Sequence, residues 1–395
     1  MTDDPIVIAS GARTPMGSFQ GELAAMTAPK LGAAAIQAAL QRAGVAPEDV
    51  QEVIMGCVLA AGQGQAPARQ ASVGAGIPFD AGCTTINKMC GSGMKAAMLA
   101  HDLLKAGTND IMVAGGMESM TNSPYLLDKA RGGMRMGHGQ VYDHMFLDGL
   151  EDAFDKGRLM GTFAEDTAQA YQFTREAQDE FAITSLKRAQ KATEDGSFAS
   201  EIAPVTMSTR KGEVVMSTDE QPRNANLDKI PGLKPAFRSD GTVTAANSSS
   251  ISDGAAALVM MRESEAERRG LTPIGRILGH SSHAQEPAWF TTAPVHAIRK
   301  LMDRLSWTVD DVDLFEVNEA FAVVTLAAIR DLGLAHDKVN VHGGACALGH
   351  PVGASGARIM VTLLAALERY DLKRGIASLC IGGGEATAVA VERIN

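Results

Sequence analysis

Asp49-Val50-Gln51-Glu52-Val53-Ile54-Met55-Gly56 returns 262 residues later as Asp311-Val312-Asp313-Leu314-Phe315-Glu316-Val317-Asn318, an acidic turn followed by an apolar-rich run. Each copy follows a stretch with apolar residues at every third or fourth position, Leu31 to Ala43 and Pro294 to Leu305. That spacing predicts a helix with one buried face. Two further pairs keep nearly the same offset: Gly91-Ser92-Gly93 with Ala354-Ser355-Gly356 at 263 residues, and Val113-Ala114-Gly115-Gly116 with Cys380-Ile381-Gly382-Gly383 at 267. One α/β unit is therefore used twice. Short apolar strands such as Ile111 to Ala114 and Ala377 to Ile381, alternating with helices, predict buried mixed sheets covered by helices. Residues from about Met120 to Asn247 lack a counterpart in the repeat and read as an insertion. Its first part, Arg131 to Gly139, has glycine at four of nine positions and reads as a solvated or oligomer-facing loop, while Thr162 to Ala192 reads as helices with charged faces.

A chain of 395 residues exceeds what one hydrophobic core holds, so two or three packed units are expected. A net charge of −10 argues against a nucleic-acid or anionic-membrane surface, which needs clustered Lys and Arg. No segment offers about 18 uninterrupted apolar residues, and Met1-Thr2-Asp3-Asp4-Pro5 shows no basic start leading into an apolar run. A cytoplasmic protein is expected. The cysteines Cys57, Cys83, Cys90, Cys346 and Cys380 are odd in number and form no C-x-x-C pair, so neither a disulfide framework nor a zinc knuckle is suggested. Cys57, Cys83 and Cys346 read as small structural hydrophobes.

Chemistry concentrates elsewhere. His342-Gly343-Gly344-Ala345-Cys346-Ala347-Leu348-Gly349-His350-Pro351-Val352-Gly353 delivers a histidine on a Gly-rich turn, and Cys380-Ile381-Gly382-Gly383-Gly384 delivers a thiol the same way. A second thiol, Cys90, precedes Gly91-Ser92-Gly93-Met94-Lys95, a plausible helix start whose positive dipole end would lower its pKa and favour thiolate. Glycine at this density lets the backbone approach a ligand and aim N–H groups at a carbonyl oxygen where negative charge develops. Two thiols, one imidazole and clustered donors are the parts for making or breaking a carbon–carbon bond through an acyl-thioester. Gly91-x-Gly93-x-x-Ala96 also fits a dinucleotide fingerprint, but Thr84 to Met89 is no continuous apolar strand, and no phosphate-binding G-x-x-x-x-G-K-[ST] loop occurs.

The chain resembles the thiolase family from near one end to the other. The resemblance rests on Asn87-Lys88-Met89-Cys90-Gly91-Ser92-Gly93, Gly115-Gly116-Met117-Glu118-Ser119-Met120, Asn318-Glu319-Ala320-Phe321, the glycine-rich segment around His350, and Cys380-Ile381-Gly382-Gly383-Gly384. It implies an α/β fold of two βαβαβαββ halves in a five-layer αβαβα arrangement. Residues 1–119, completed by about 248–270, would form one half, 271–395 the other, and 120–247 an inserted loop domain for coenzyme A binding and tetramerisation. It also implies the reversible Claisen condensation of two acetyl-CoA to acetoacetyl-CoA plus coenzyme A, by a ping-pong route through acetyl-Cys90. Cys380 resembles the acid/base at the substrate α-carbon, and His350 the residue that activates Cys90 and then supports the enolate oxygen. Asn318 would hold the water that completes one oxyanion hole with His350. The backbone N–H groups of Cys90 and Gly382 would make the second. Ser249 and Ala245 match positions along the pantetheine groove, Arg223 the arginine near the adenine nucleotide, and Met160 the methionine lining a short acyl pocket. Acyl-CoA is substrate; no tightly bound cofactor and no metal is implied, and the assembly would be a homotetramer, a dimer of dimers.

Three positions depart from relatives. Leu159 stands where short-chain thiolases often carry histidine, Phe290 where some have methionine and the potassium-responsive mitochondrial enzyme has phenylalanine, and Pro222 where that enzyme has tyrosine. Other readings are a thiolase of broader chain length, a decarboxylating ketoacyl synthase of the same fold, or a non-catalytic acyl-CoA-binding relative. Synthases pair their cysteine with His/His or His/Asn, whereas this chain keeps Cys380, and non-catalytic relatives usually lose a catalytic residue.

Overall fold

β1 (Ile6–Arg13) and the short β2 (Gly17–Ser18) open the first half, followed by α1 (Ala28–Ala43), β3 (Glu52–Gly56), α2 (Pro67–Gly74), β4 (Gly82–Ile86), α3 (Ser92–Lys105) and β5 (Ile111–Ser119). The insertion carries β6 (Tyr125–Leu126), β7 (Tyr142–Asp143), α4 (Met160–Tyr171), α5 (Arg175–Glu194), β8 (Val205–Thr209), β9 (Gly212–Met216) and α6 (Glu220–Asn224). β10 (Ser252–Arg262) and α7 (Glu263–Arg268) return to the first half. The second half repeats the order with β11 (Gly275–Ala284), α8 (Ala293–Leu305), β12 (Leu314–Val317), α9 (Ala322–Leu332), α10 (Ala345–Leu348), α11 (Val352–Arg369), β13 (Arg374–Ile381) and β14 (Glu385–Arg393). This computed structural model describes residues 4–209 and 212–394, so Met1 to Asp3, read above for a targeting signal, lie outside the described residues.

The duplication is visible in the pairing. β3 runs parallel to β4 and β5 while β10 runs antiparallel to β5 and β1; correspondingly β12 runs parallel to β13 while β14 runs antiparallel to β13 and β11. A lone parallel bridge between Phe315 and Val339 stands where the first half has β4. The halves share one sheet, in the order β12-β13-β14-β11-β1-β10-β5-β3-β4, because β1 and β11 pair from Ile6 with Ile277 to Ile8 with Gly275. The sequence predicts sheets in the plural; the edge-to-edge seam between the first strands of the two halves carries no sequence signal of its own.

Alternation along the strands divides the core into layers. On β10, Ala255, Ala257 and Val259 face α1 and α2, whereas Ala256, Leu258 and Met260 face α3 and α11. α3 and α11 lie in the middle, touching β5 and β10 on one side and β13 and β14 on the other. α8 and α9 cover the far face of the second half. Both faces of the central strands are therefore buried, the reason β5, β10 and β13 read as nearly continuous apolar runs. The repeated Gly-Ser-Gly and Ala-Ser-Gly motifs have a packing cause. A Cβ on Gly93 would lie 2.8 Å from the Ala357 nitrogen, and one on Gly356 would lie 2.4 Å from that of Met94, so only glycine lets the two central helices cross this closely.

The insertion is anchored by buried charge. Arg13 on β1 donates to Glu201 at 2.5 Å and to Asp219 at 2.7 and 2.9 Å, with all three side chains out of solvent. Removing one partner of such a group costs about 3–5 kcal/mol, since the remaining charge stays buried. α5 reaches the second half through Ser185, which donates to Glu319 at 2.7 Å.

Candidate active site

The chemistry-bearing residues gather at the carboxyl ends of the parallel strands, where α/β folds place ligands. Cys90 follows β4, Glu118 is next to last in β5, Asn318 follows β12 directly and Cys380 is next to last in β13. Cys90 sits on a tight turn in which Met89 adopts φ 46, a left-handed conformation costing a non-glycine residue about 1–3 kcal/mol. Local hydrogen bonds hold that strain: Ser92 Oγ accepts from the Lys88 N–H at 2.8 Å and donates to the Met89 carbonyl at 2.6 Å, and Asn87 Oδ1 accepts from the Met89 N–H at 2.9 Å. The thiol keeps part of its surface but is walled by the cluster of Val58, Leu59, Met145, Val352 and Ile251.

Burial pushes the Cys90 thiol up to about 11, although the backbone N–H groups of Gly382 and Cys90 itself favour the thiolate. The expectation of a thiol acidified by the start of α3 is thus corrected. Desolvation by residues distant in sequence outweighs the helix end, and Cys90 is neutral until a base takes its proton. The Gly382 and Cys90 N–H groups both face the sulfur, so an oxygen on an acyl group carried there would meet two donors.

His350 supplies a base in a defined tautomer. Its Nδ1 lies 2.5 Å from Ser355 Oγ, and that hydroxyl donates its one hydrogen to the Pro351 carbonyl at 3.0 Å. Ser355 therefore accepts from Nδ1–H, which leaves Nε2 as a bare acceptor. Nε2 is buried with no protein partner. Burial, and then the Arg358 charge, lower the imidazole to about 3, so it is neutral at physiological pH. Asn318 adds two more unpartnered groups: both atoms of its amide are buried without a protein hydrogen bond, while its N–H is fixed on the Ser378 carbonyl at 3.0 Å.

Two carboxylates that sequence reasoning quoted but left without a role brace these turns. Glu118 accepts from the N–H groups of Val58 at 2.9 Å, Leu59 at 3.1 Å and Gly353 at 2.9 Å, tying β5 to the loop after β3 and to the start of α11. Burial lifts it to about 7 against the pull of those donors. Glu319 accepts from Ser185, from Asn340 at 2.8 Å and from the Cys346 N–H at 3.0 Å, and a Cβ on Gly344 would strike its carboxyl at 2.3 Å. An acidic residue at the end of an apolar strand, or two residues past it, is the signal that could have marked both.

Cys380 is fully buried, and its thiol is pushed well above the ordinary range by burial and then by the neighbouring Cys90. The turn after it has Gly383 and Gly384 at φ 90, and a Cβ on Gly384 would lie 2.3 Å from the Gln285 carbonyl, so both demand glycine. Beside Gly382 stand Met160 and Met89, whose side chains would lie 3.7 and 3.9 Å from a Cβ there. Met160 and Phe237 pack with Phe290, Phe321 and Cys380 in one apolar cluster, with ring centroids of Phe290 and Phe321 6.5 Å apart. Leu159 immediately precedes α4 beside Met160. Ser249 is fixed by its N–H on the Ala320 carbonyl at 2.9 Å, and Ala245 is exposed on the loop leading to it. Arg223 stands apart at the surface, paired with Glu22, though Gln221 of the same helix bonds Ser250 next to Ser249. Pro222 uses its carbonyl to accept from Gln190 at 3.0 Å.

Family models describe this arrangement over nearly the whole chain: residues 6–264 match the thiolase N-terminal domain and residues 271–393 the thiolase C-terminal domain. The chain belongs to the thiolase family. Among its relatives, the acetyl-CoA acetyltransferase of Cupriavidus necator is 51% identical over 395 residues, covering 100% of both chains. The cytosolic acetyl-CoA acetyltransferase of mouse is 50% identical over 99% of this thiolase and 98% of its own length. Among solved structures, the Bacillus anthracis acetyl-CoA acetyltransferase superposes with a TM-score of 0.96 at 43% identity, covering 99% of each chain. A thiolase from Ascaris suum in complex with coenzyme A gives 0.93 at 41% identity, covering 99% of this chain and 100% of that one. Among the described residues of this thiolase, no helix is long and apolar enough to cross a membrane.

Proposed function

We propose that this thiolase is an acetyl-CoA C-acetyltransferase, interconverting two acetyl-CoA with acetoacetyl-CoA and free coenzyme A. The observation that carries the reading is the pairing of two desolvated thiols, Cys90 and Cys380, with a neutral imidazole whose Nε2 has no protein partner. Cys90 attacks the acetyl carbonyl as His350 Nε2 takes its proton, and the oxyanion forms between the N–H groups of Cys90 and Gly382. The departing coenzyme A thiolate takes the proton of Cys380. Acetyl-Cys90, a Cys380 thiolate and a protonated His350 result. The Cys380 thiolate then removes the α-proton of a second acetyl-CoA, and the enolate oxygen is met by His350 Nε2–H and by water held on Asn318. The enolate carbon attacks acetyl-Cys90; the Cys90 sulfur leaves and recovers its proton from His350. The balance is two acetyl-CoA in, acetoacetyl-CoA and coenzyme A out.

The cluster of Met160, Phe237, Phe290 and Phe321 around Cys380 favours a short acyl group. Leu159 offers the pantetheine an apolar contact, Ser249 and Ala245 lie along its groove, and Arg223 reaches the nucleotide end by exchanging Glu22 for a phosphate. Five unpaired cysteines support a cytoplasmic location. Incubation with acetyl-CoA alone should add one acetyl group per chain, on the Cys90 peptide; labelling that persists in Cys90→Ala would sink the assignment. The insertion builds a homotetramer, a reading supported by its exposed apolar side chains, among them Tyr125, Met136, Val141 and Phe154. Light scattering should give four times the chain mass, and a stable monomer at micromolar concentration would overturn that.

A further inference from the structure

Away from the thiols, α3 and β11 bring His101, Asp102 and His280 together. Asp102 Oδ1 lies 3.0 Å from Nδ1 of His101 and 2.9 Å from Nε2 of His280. One ligand atom from each residue lies within 4.8 Å of the other two. The imidazoles meet edge to face with centroids 5.1 Å apart. We propose that these three side chains form a site for a transition-metal dication of the zinc class, which staples the central helix of the first half to the first strand of the second.

The donor set selects the metal. Two imidazole nitrogens and one carboxylate oxygen suit Zn2+, Ni2+ or Cu2+, whereas Mg2+ and Ca2+ take all-oxygen sets. Ligand bonds of about 2.0–2.1 Å in a tetrahedron put neighbouring ligand atoms roughly 3.3 Å apart. The two Asp102 separations need to open by a few tenths of an ångström, and the two imidazole nitrogens, within 4.8 Å of each other, need to draw together to admit the ion. Two cations lie near: Lys105, one turn further along α3, donates to the Asp4 carbonyl at 3.2 Å, and Arg304 donates to the His280 carbonyl at 3.0 Å.

Placement says what the ion does. The Asp102 side chain is 55% exposed, so the remaining coordination position faces solvent and takes water. β11 also carries the seam with β1 that joins the halves. A metal held by α3 and β11 therefore adds a cross-link beside that seam, and none of its ligands belongs to the thiol site. Binding stabilises the native chain without entering the reaction.

Chelator-stripped protein titrated with Zn2+ should take up one equivalent per chain and unfold at a higher temperature. Co2+ serves as an optical probe, because thiolate coordination produces an intense near-ultraviolet charge-transfer band that imidazole and carboxylate ligands lack. His101→Ala and His280→Ala should each weaken uptake by more than the ~10–100-fold that disturbing a metal's outer partners costs. Their acetoacetyl-CoA thiolysis without metal should equal that of the wild type. Asp102→Asn, at an exposed position, keeps the test open if a histidine variant does not fold. Unchanged uptake in these variants, no uptake at micromolar Zn2+, or a thiolate band that vanishes in Cys90→Ala would each overturn the assignment.

Discussion

Ser355→Ala removes one oxygen and tests how the imidazole of His350 is set. Ser355 is 1% exposed, and alanine keeps its Cβ, so no bulk is added to the close crossing of α3 and α11. What disappears is the acceptor 2.5 Å from Nδ1. A buried donor left unpaired costs about 1–3 kcal/mol. The ring escapes that cost by moving its proton to Nε2, where the water held on Asn318 can accept it, and in that tautomer it cannot accept the Cys90 proton. Regaining the productive tautomer then costs the same about 1–3 kcal/mol, which is roughly 5–150-fold in rate. Rapid-quench acetylation of Cys90 by acetyl-CoA, measured alongside steady-state condensation, reads both half-reactions. Both should fall by the same factor with KM little changed, because His350 acts in each. Acetylation at the wild-type rate would refute the tautomer argument, and a loss confined to condensation would show that His350 does not activate Cys90.

Cys380→Ser should still accept an acetyl group on Cys90 but lose α-proton exchange and condensation by about 10²–10⁴-fold; near wild-type condensation would move the base elsewhere. Iodoacetamide should alkylate Cys90 slowly at pH 7, and the rate should climb with pH through 9 without levelling, because the thiol is pushed up to about 11 and deprotonates only above that range. A plateau by pH 8 would mean that the resting enzyme already holds a thiolate.

The duplicated frame was legible because its marks are local. Apolar spacing gave Leu31 to Ala43 and Pro294 to Leu305 within helices that run from Ala28 to Ala43 and from Ala293 to Leu305. The paired small-residue motifs survive in both copies because Gly93 and Gly356 face each other where the central helices cross. What escaped depends on partners far apart in the chain. Glu118 owes its place to Val58, Leu59 and Gly353, the last 235 residues away, and no spacing announces such a hub. The same holds for Cys90: its position before α3 is visible in sequence and suggests acidification, yet burial among distant residues such as Val352 and Ile251 outweighs the Gly382 N–H and decides the sign. Arg223 reads as a free cation until Glu22, 201 residues earlier, is found beside it.

The high pKa values of the two thiols follow one physical logic. A buried anion is costly, so at rest Cys90, Cys380 and His350 are all neutral, and charge forms only when substrate brings the donors into use. Cys90 also raises the pKa of Cys380, so the two thiols resist ionising together. Acylation of Cys90 removes that conflict, since a thioester sulfur carries no charge. The Cys380 thiolate then forms beside a protonated His350 rather than beside a second anion. A thiolate whose conjugate acid lies well above the ordinary range is also the stronger base, which suits the weakly acidic α-proton of a thioester. The order of the two half-reactions is thereby built into the electrostatics: the base for the second step becomes available only once the first has capped Cys90.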